Sequence, residues 1–542
     1  MQASSFELSH QALGGLPIIE QYFIKMRLPE LLTQSMGSAR YAVAILLLIK
    51  NILLERRALY AIHEWSVQFD PALVCGGAIG DDTIARALDR VYQSDRASLQ
   101  TRIVLEAVQK FKIEVGQIHQ DTTSVKLFGN YAYQLDKAVQ LKHGHSKDHR
   151  PDLKQLVYEL SVTRDGAVPV HFKAHDGNRT DDTLHWDNWL SLRGLFGKSD
   201  FLYVGDSKLC VEKTLRSIDS NQGRFVTIMP ATRAESGDFA DKVASANIRW
   251  ERVFAKRSTR KFKRIDVFEV ASGLYQMREG FRLYWFRSSE KKRRDEEDRE
   301  EHIDHALDHL RALGDPGRKV ARTEETLKRR ALKILTEFGA KEWIHVETAL
   351  ERVEEFKQKT RGRANKETDY RRVEKWIPRL NARRNLDAIA RSEAMDGVFP
   401  LATNTDMKAV EVLNAYKYQP KLEKRHALLK SGLNVAPVFL KKNDRIEALM
   451  FVYFMAQIVA ALIERDIRLA MDKKKIEALA ILPEERPSKH PTTEQVFRVF
   501  EHRARHVLYS KSGQAIQTFV DPLTRIQKQI LGLLNIALSV YA

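Results

Sequence analysis

The residue pattern between Glu114 and Met229 limits the possible folds more than any other stretch. Residues 114–128 read as a strand leading into a loop. Residues 156–163 (LVYELSVT) and 168–174 (VPVHFKA) are rich in β-branched and aromatic side chains. Between them Arg164-Asp165-Gly166 reads as a tight hairpin turn. Residues 180–195 have helical spacing, with Thr180 or Asp181 as the cap. Residues 201–205 (FLYVG) form a short apolar strand that ends in Asp206. A helix over about 209–219 and another apolar strand over 224–229 follow. The order is strand, strand, strand, helix, strand, helix, strand. Short apolar strands that follow helices predict a mixed α/β sheet.

This is the element order of a ribonuclease-H-like fold. At 542 residues the chain is too long for one hydrophobic core. Residues 1–112 read as a compact helical N-terminal domain. In it 42–54 (AVAILLLIKNILL) is too apolar for a surface helix, and Asp81-Asp82 after Gly80 can cap a helix. Helix-turn-helix and plain helical bundle both fit this segment. Residues 113–230 form the first part of the α/β core. Residues 231–400 change character: β-like segments at 265–270 and 281–286 precede the mixed-charge run EKKRRDEEDREE, read as a solvated helix face. This region looks like an insertion. Residues 401–470 resume the core, and 471–542 read as a C-terminal helical region.

Charge narrows the partner. Lys and Arg number 89 against 71 Asp and Glu, a formal +18. A chain this basic meets a polyanion, nucleic acid first and an anionic membrane surface second. The longest apolar run, 448–463, has 16 residues and is interrupted by Gln457. A membrane span needs about 20, so the run reads as a buried core helix and no membrane partner is expected. Cys75 and Cys210 are the only cysteines, too few for a disulfide framework or a Cys-based zinc site. The start, MQASSFELSHQ, does not read as a signal peptide. A cytoplasmic location fits.

Three acids stand out. Asp121 lies in QIHQDTTSVKLFG, where an acid in mid-strand is disfavoured and needs a reason. Taken alone, a capping or hydrogen-bonded loop acid explains it better than catalysis. Asp206 follows Gly205 at the carboxyl end of a strand, where ligands gather in open α/β sheets. Here a turn acid and a metal ligand fit equally. Tyr416, Gln419, Glu423 and Lys430 are offset by 0, 3, 7 and 14, within roughly 60° of one helical face at about 100° per residue. Leu422, His426, Leu429 and Leu433 form the adjoining stripe. An ordinary amphipathic helix with a solvated face fits that pattern better by itself. Pro420 belongs in a first turn, so the helix starts near 419 and Tyr416 falls in the preceding segment. Together, however, three carboxylates suffice to hold two divalent ions such as Mg²⁺ for phosphoryl transfer, with Lys430 on a phosphate.

The chain resembles the DDE transposases of the IS4-related insertion sequences, most closely the IS1634 type. The carriers are QDTTSVKLFG (120–129), HGHSKDHRPDLKQLV (143–157), DGNRTD (176–181), YVGDSKL (203–209), DGVFPLATN (396–404) and YKYQPKLEKRHALLK (416–430). The resemblance covers nearly the whole chain. It implies Asp121, Asp206 and Glu423 as catalytic, metal-holding residues, with two Mg²⁺ ions that Mn²⁺ can replace. Double-stranded DNA, as transposon ends and target, is the implied partner, met by a homodimer in a bacterial cytoplasm. The related signature has Arg where this chain has Gln419, so Lys421 or Arg425 is the candidate replacement beside Tyr416 and Lys430. The alternatives are a ribonuclease-H-like nuclease without strand transfer and a catalytically idle, domesticated DNA-binding protein.

Three features remain. His143, His145 and His149 read as part of a basic loop near DNA rather than a zinc site. Trp250, Trp285, Trp343 and Trp376 read as packing residues, with stacking on a flipped base the alternative. Asn178 and Arg179 fit an anion site at a helix start or a simple turn.

Overall fold

The computed structural model describes residues 6–74, 79–132, 134–144, 150, 152–179, 184–245, 248–257, 264–314, 323–432, 435, 438 and 440–542. Met1–Thr227, Thr403–Asp406 and Val412–Ala542 form one compact unit; Ile228–Ala402 and Met407–Glu411 form a second.

The first unit begins with strand β1 (Glu7–Ala12) and helices α1 (Leu16–Lys25), α2 (Leu28–Met36), α3 (Ala39–Leu54), α4 (Ile62–Ser66), α5 (Asp81–Gln93) and α6 (Arg96–Phe111). The Ser38 hydroxyl caps α3 and the Asp95 carboxylate caps α6. At α5 the expectation changes. Gly80 is the N-cap, and Asp81 and Asp82 sit in the first turn, where their charge meets the helix dipole. Then come β2 (Gln117–Leu127), β3 (Lys154–Thr163), β4 (Pro169–His175), α7 (Leu184–Phe196), β5 (Leu202–Gly205), α8 (Glu212–Ser220) and β6 (Arg224–Ile228).

These strands run side by side in the order β4-β3-β2-β5-β6, a mixed sheet. The β2–β3 and β3–β4 pairs are antiparallel; β2–β5 and β5–β6 are parallel. The hairpin turn after β3 has Gly166 at φ +78° and Ala167 at φ +51°. A Cβ on Gly166 would also meet the Arg465 side chain at 2.8 Å, so glycine is required there twice over. Residues 180–183, the expected cap of α7, lie outside the described residues.

In the second unit, α9 (Ala234–Ala244), β7 (Trp250–Arg257), β8 (Ile265–Ala271), β9 (Tyr275–Gln276) and β10 (Arg282–Ser288) lead into α10 (Ser289–Leu313) and α11 (Glu324–Glu337). A long antiparallel ribbon follows, β11 (Ile344–Gln358) with β12 (Tyr370–Arg384), then α12 (Leu386–Met395) and β13 (Val398–Thr403). The β segments expected at 265–270 and 281–286 are β8 and β10, but beyond residue 290 the sequence predicted charged helices and no ribbon. The run 290–301 is indeed helical, but it is not all solvated. Arg299 is buried, paired with Asp396 at 2.7 Å. Trp285 is buried and stacked on Phe239 at 4.0 Å; Trp250 lies under the Arg287 guanidinium at 4.5 Å. Trp343 packs against the core of Ile303, Leu310 and Leu335, whereas Trp376 is exposed on the ribbon.

The chain ends with α13 (Ala409–Tyr416), α14 (Gln419–Ala427), α15 (Asn443–Lys473), β14 (Leu479–Ala480), β15 (Pro487–Ser488), α16 (Thr493–Phe500), β16 (Ala504–Tyr509), β17 (Ala515–Val520) and α17 (Arg525–Leu533). The segment 471–542, expected to be helical, therefore also carries strands. β16 pairs with β1 on one side and β17 on the other. The apolar run lies in α15, long and apolar enough by composition to cross a membrane, yet its most apolar window is 94% buried inside the structure. Helices α1, α3, α5, α16 and α17 and strand β4 pack against it. The N-terminal helices thus share a core with the C-terminal helices. Gln457, which breaks the apolar run, accepts the Tyr158 O–H at 3.0 Å and donates to the Arg425 carbonyl at 3.0 Å.

Alternation assigns the faces of the sheet. Tyr158 and Phe172 point to α15; Gln120 and Glu159 point to α7. Glu159 is buried and accepts from Gln120 (3.2 Å), Asn188 (2.6 Å) and His175 (2.6 Å). Burial raises its pKa, but the hydrogen bonds from His175 and Asn188 and the charges of His171 and His175 outweigh it and hold it low. A depressed carboxylate stabilises the fold above its unfolded pKa, about 4.3, and loses that effect as pH falls through the folded value. Glu159→Gln is therefore expected to cost about 2–4 kcal/mol at neutral pH. The gap to wild type should close below about pH 4, as measured by urea denaturation. A gap that widens on acidification would contradict this account.

Candidate active site

Strands β2 and β5 set the first two acids side by side. In their parallel ladder Gln117 faces Leu202, Ile118 faces Tyr203 and His119 faces Val204. The same 85-residue offset separates Asp121 from Asp206, so continuing the ladder by two positions brings the two level. Asp206 lies immediately past the carboxyl end of β5. Its Oδ1 accepts the Lys208 N–H at 3.0 Å and lies 3.4 Å from His185 Nε2. The Thr227 hydroxyl donates to its carbonyl at 2.6 Å. Burial raises the Asp206 pKa, but His185 and the Lys208 N–H outweigh it and favour the carboxylate. Gly205 permits this approach, because a Cβ there would lie 3.0 Å from His185 Cε1.

Asp121 sits inside the eleven-residue β2, not in a loop. Its Oδ1 accepts the Thr122 N–H at 2.8 Å, and His426 Nε2 stands 3.8 Å from Oδ2. The third acid, Glu423, is exposed on α14, which starts at Gln419 with Pro420 in its first turn.

The neighbours of Glu423 divide sharply. Gln419 is buried. Its Nε2 donates to the Gln120 carbonyl at 3.0 Å, and its Oε1 is 2.9 Å from His119 Nδ1. Arg425 is also buried, donating to the carbonyls of Ala167 (2.9 Å) and Gly166 (3.0 Å) and pairing with Glu464 at 2.9 Å. Neither side chain is placed to reach an external phosphate; both fasten α14 to the sheet and to the β3–β4 turn. Lys421 is half-buried, with its pKa lowered by burial and by Lys424, Arg468 and Arg425. It lies two residues before Glu423, about 200° around the helix. Lys430 falls in a π-helical turn, Leu428–Gly432, so the α-helical angle no longer fixes its position relative to Glu423.

Tyr416 ends α13, and it ties the acids together. Its pKa is pushed up to about 12, by burial first and then by the charges of Asp206, Glu423 and Asp121. All three carboxylates therefore lie within electrostatic reach of one phenol, which stays protonated at neutral pH. Among the described residues, no three His, Cys, Asp or Glu side chains stand close enough together to cage a metal as placed. Sequence reading missed His119 and His185. His119 is fully buried, and burial lowers its pKa to about 4, so it is neutral. Nothing local marks His185, whose partner lies on another element. Of the histidine loop, His145 and His149 fall outside the described residues.

No known family profile matches the chain, and no curated protein matches it. Among solved structures, a cryo-EM structure of a piggyBac transposase synaptic complex with hairpin DNA aligns with 88% of this chain and 85% of its own. The identity is 8% and the TM-score 0.30, too slight a likeness to bear on function.

Arg425→Ala leaves Glu464 buried without its partner and is expected to cost about 3–5 kcal/mol of unfolding free energy. A cost below about 1 kcal/mol in urea denaturation would return Arg425 to the surface role.

Proposed function

We propose that this chain is a DDE transposase of the IS4-related, IS1634 type, which cuts and rejoins DNA. The observation that supports this most is that Asp121 and Asp206 fall level on adjacent parallel strands while both, with Glu423, lie within electrostatic reach of the Tyr416 phenol, whose pKa is raised by burial first and then by these three charges. The sheet order β4-β3-β2-β5-β6, antiparallel up to β2 and parallel beyond it, supports a ribonuclease-H-like core into which residues 228–402 are inserted.

The donor set is all carboxylate, which suits a hard cation such as Mg²⁺, or Mn²⁺ in its place. Asp121, Asp206 and Glu423 are the residues that would hold it. Two such ions, when bound, supply activation of a water or 3′-hydroxyl and stabilisation of the leaving oxygen. The chain's own residues prepare the site. His185 and the Lys208 N–H keep Asp206 ionised. Tyr416 keeps its proton and can donate to a carboxylate or phosphate oxygen. Lys430 offers a point charge to a phosphate. The partners are the transposon ends and the target duplex, handled by a homodimer in the cytoplasm. The formal +18 favours such a polyanion.

Purified protein is expected to cut a plasmid carrying the DNA that flanks its gene, at both borders. Mg²⁺ or Mn²⁺ should support cutting and EDTA should abolish it. Asp206→Asn and Glu423→Gln should each lower the rate about a thousandfold. Tyr416→Phe should keep cutting but slow it by about tenfold to a hundredfold, the value of one charge-assisted hydrogen bond. Mutants that cut like wild type would refute the site. Border binding without cutting would mark an idle DNA-binding protein, and cuts without joined products a nuclease.

A further inference from the structure

The ribbon β11–β12 pairs residue by residue from Ile344↔Arg384 to Gln358↔Tyr370. Fifteen residues per strand span about 50 Å at roughly 3.3 Å each. Only its base packs: Ile344, Val346, Leu380 and Ala382 meet the core that includes Ile303, Leu310 and Leu335. Further out both faces are exposed, including Phe356 at 67% and Tyr370 at 48%. A lone two-stranded ribbon is marginally stable in water, so one this long calls for a reason.

Its charges supply one. Along the stalk, β11 residues 344–356 carry four acids and one arginine, and β12 residues 373–384 carry four basic residues and one acid. The stalk cancels to zero, through cross-strand pairs such as Glu347–Arg383 at 3.1 Å and Glu351–Arg379 at 2.6 Å. The tip does not cancel. Residues 357–372 hold seven Lys or Arg against two acids, a local +5. Lys357 and Lys359 have partners in Glu355 and Asp369, and Arg372 in Glu354. Arg361, Arg363, Lys366 and Arg371 are exposed and have no carboxylate partner among the described residues.

We propose that this tip docks in the major groove of duplex DNA, with Arg361, Arg363, Lys366 and Arg371 on phosphates. The inference rests on the reading above that DNA is the partner. A two-stranded ribbon fits the major groove of B-form DNA, whereas the deep, narrow groove of A-form RNA does not admit one. A second copy of a chain that is itself +18 is the wrong partner for a basic tip.

The test uses the full chain and a short duplex of unrelated sequence, with anisotropy followed through a salt titration. The variants are R361A/R363A/K366A/R371A together, and R361K/R363K/R371K, which keeps the charge. The alanine variant should lose about tenfold or more in affinity near physiological salt, and its salt slope should drop by roughly 2 to 4, about 0.9 per lost phosphate contact. The lysine variant should stay near wild type, and all should unfold at the same temperature. Unchanged affinity and slope in the alanine variant would overturn the proposal, as would equal, tip-dependent binding of duplex RNA or anionic vesicles. Border cutting by wild type, run in parallel, separates the two readings. If cutting persists and the tip is silent, only the ribbon proposal fails. If wild type neither binds nor cuts, the transposase reading fails and takes the ribbon with it.

Discussion

The amide of Gln419 joins the strand that carries Asp121 to the helix that carries Glu423. Its two ends do different work, since Nε2 gives to the Gln120 carbonyl and Oε1 faces His119 Nδ1. That arrangement sets the histidine: Nδ1 must carry the proton, and Nε2, 2.8 Å from Gln117 Nε2, must accept. A second proton on His119 would turn this acceptor into a donor facing a donor. The lowered pKa, caused first by burial, keeps that state away near neutrality. The chain of hydrogen bonds therefore has one direction, and the helix one seat. Arg425 fastens the same helix six residues further on, to the β3–β4 turn and to Glu464 of α15. An ion pair buried this deep adds little net stability, but it penalises every other seating of the helix.

Much of the core was legible in the sequence, because β3 and β4 are rich in β-branched and aromatic residues, β5 and β6 are short and apolar, and the turn is spelled by Asp-Gly. The acid at the end of FLYVGD could be placed for the same reason. Convergence could not be read. Asp121, Asp206 and Glu423 come within reach of Tyr416 only through a parallel ladder and a helix packing, and no local pattern encodes either. A helical wheel gave the angle of Gln419 but not what that face meets, so a buried amide looked like a missing phosphate contact. Lys430 escaped for a different reason, since the π-helical turn breaks the periodicity on which the wheel depends. The ribbon was hidden by composition. IHVETALERVEEFKQ is rich in residues that favour helices, and what makes it a strand is a partner strand of opposite charge whose paired residues lie 12 to 40 positions further along the chain. Strand β1 pairs with β16 from the other end of the chain, which no window of local sequence reveals.

The distribution of charge links these elements. Where a cation belongs to the architecture, the fold neutralises it: Arg425 with Glu464, Arg465 with Asp165, Arg299 with Asp396, Arg445 with Asp89. These pairs are local, and each ties one element to another. The three carboxylates around Tyr416 are arranged differently. Their charges add on one phenol instead of cancelling, and they contribute, after burial, to its raised pKa. Three like charges within electrostatic reach of one phenol repel one another. Such a gathering is expected where function, rather than stability, sets the positions. Repulsion among the acids would favour their dispersal, and the Gln419 and Arg425 ties on one side and the β2–β5 ladder on the other are what oppose it.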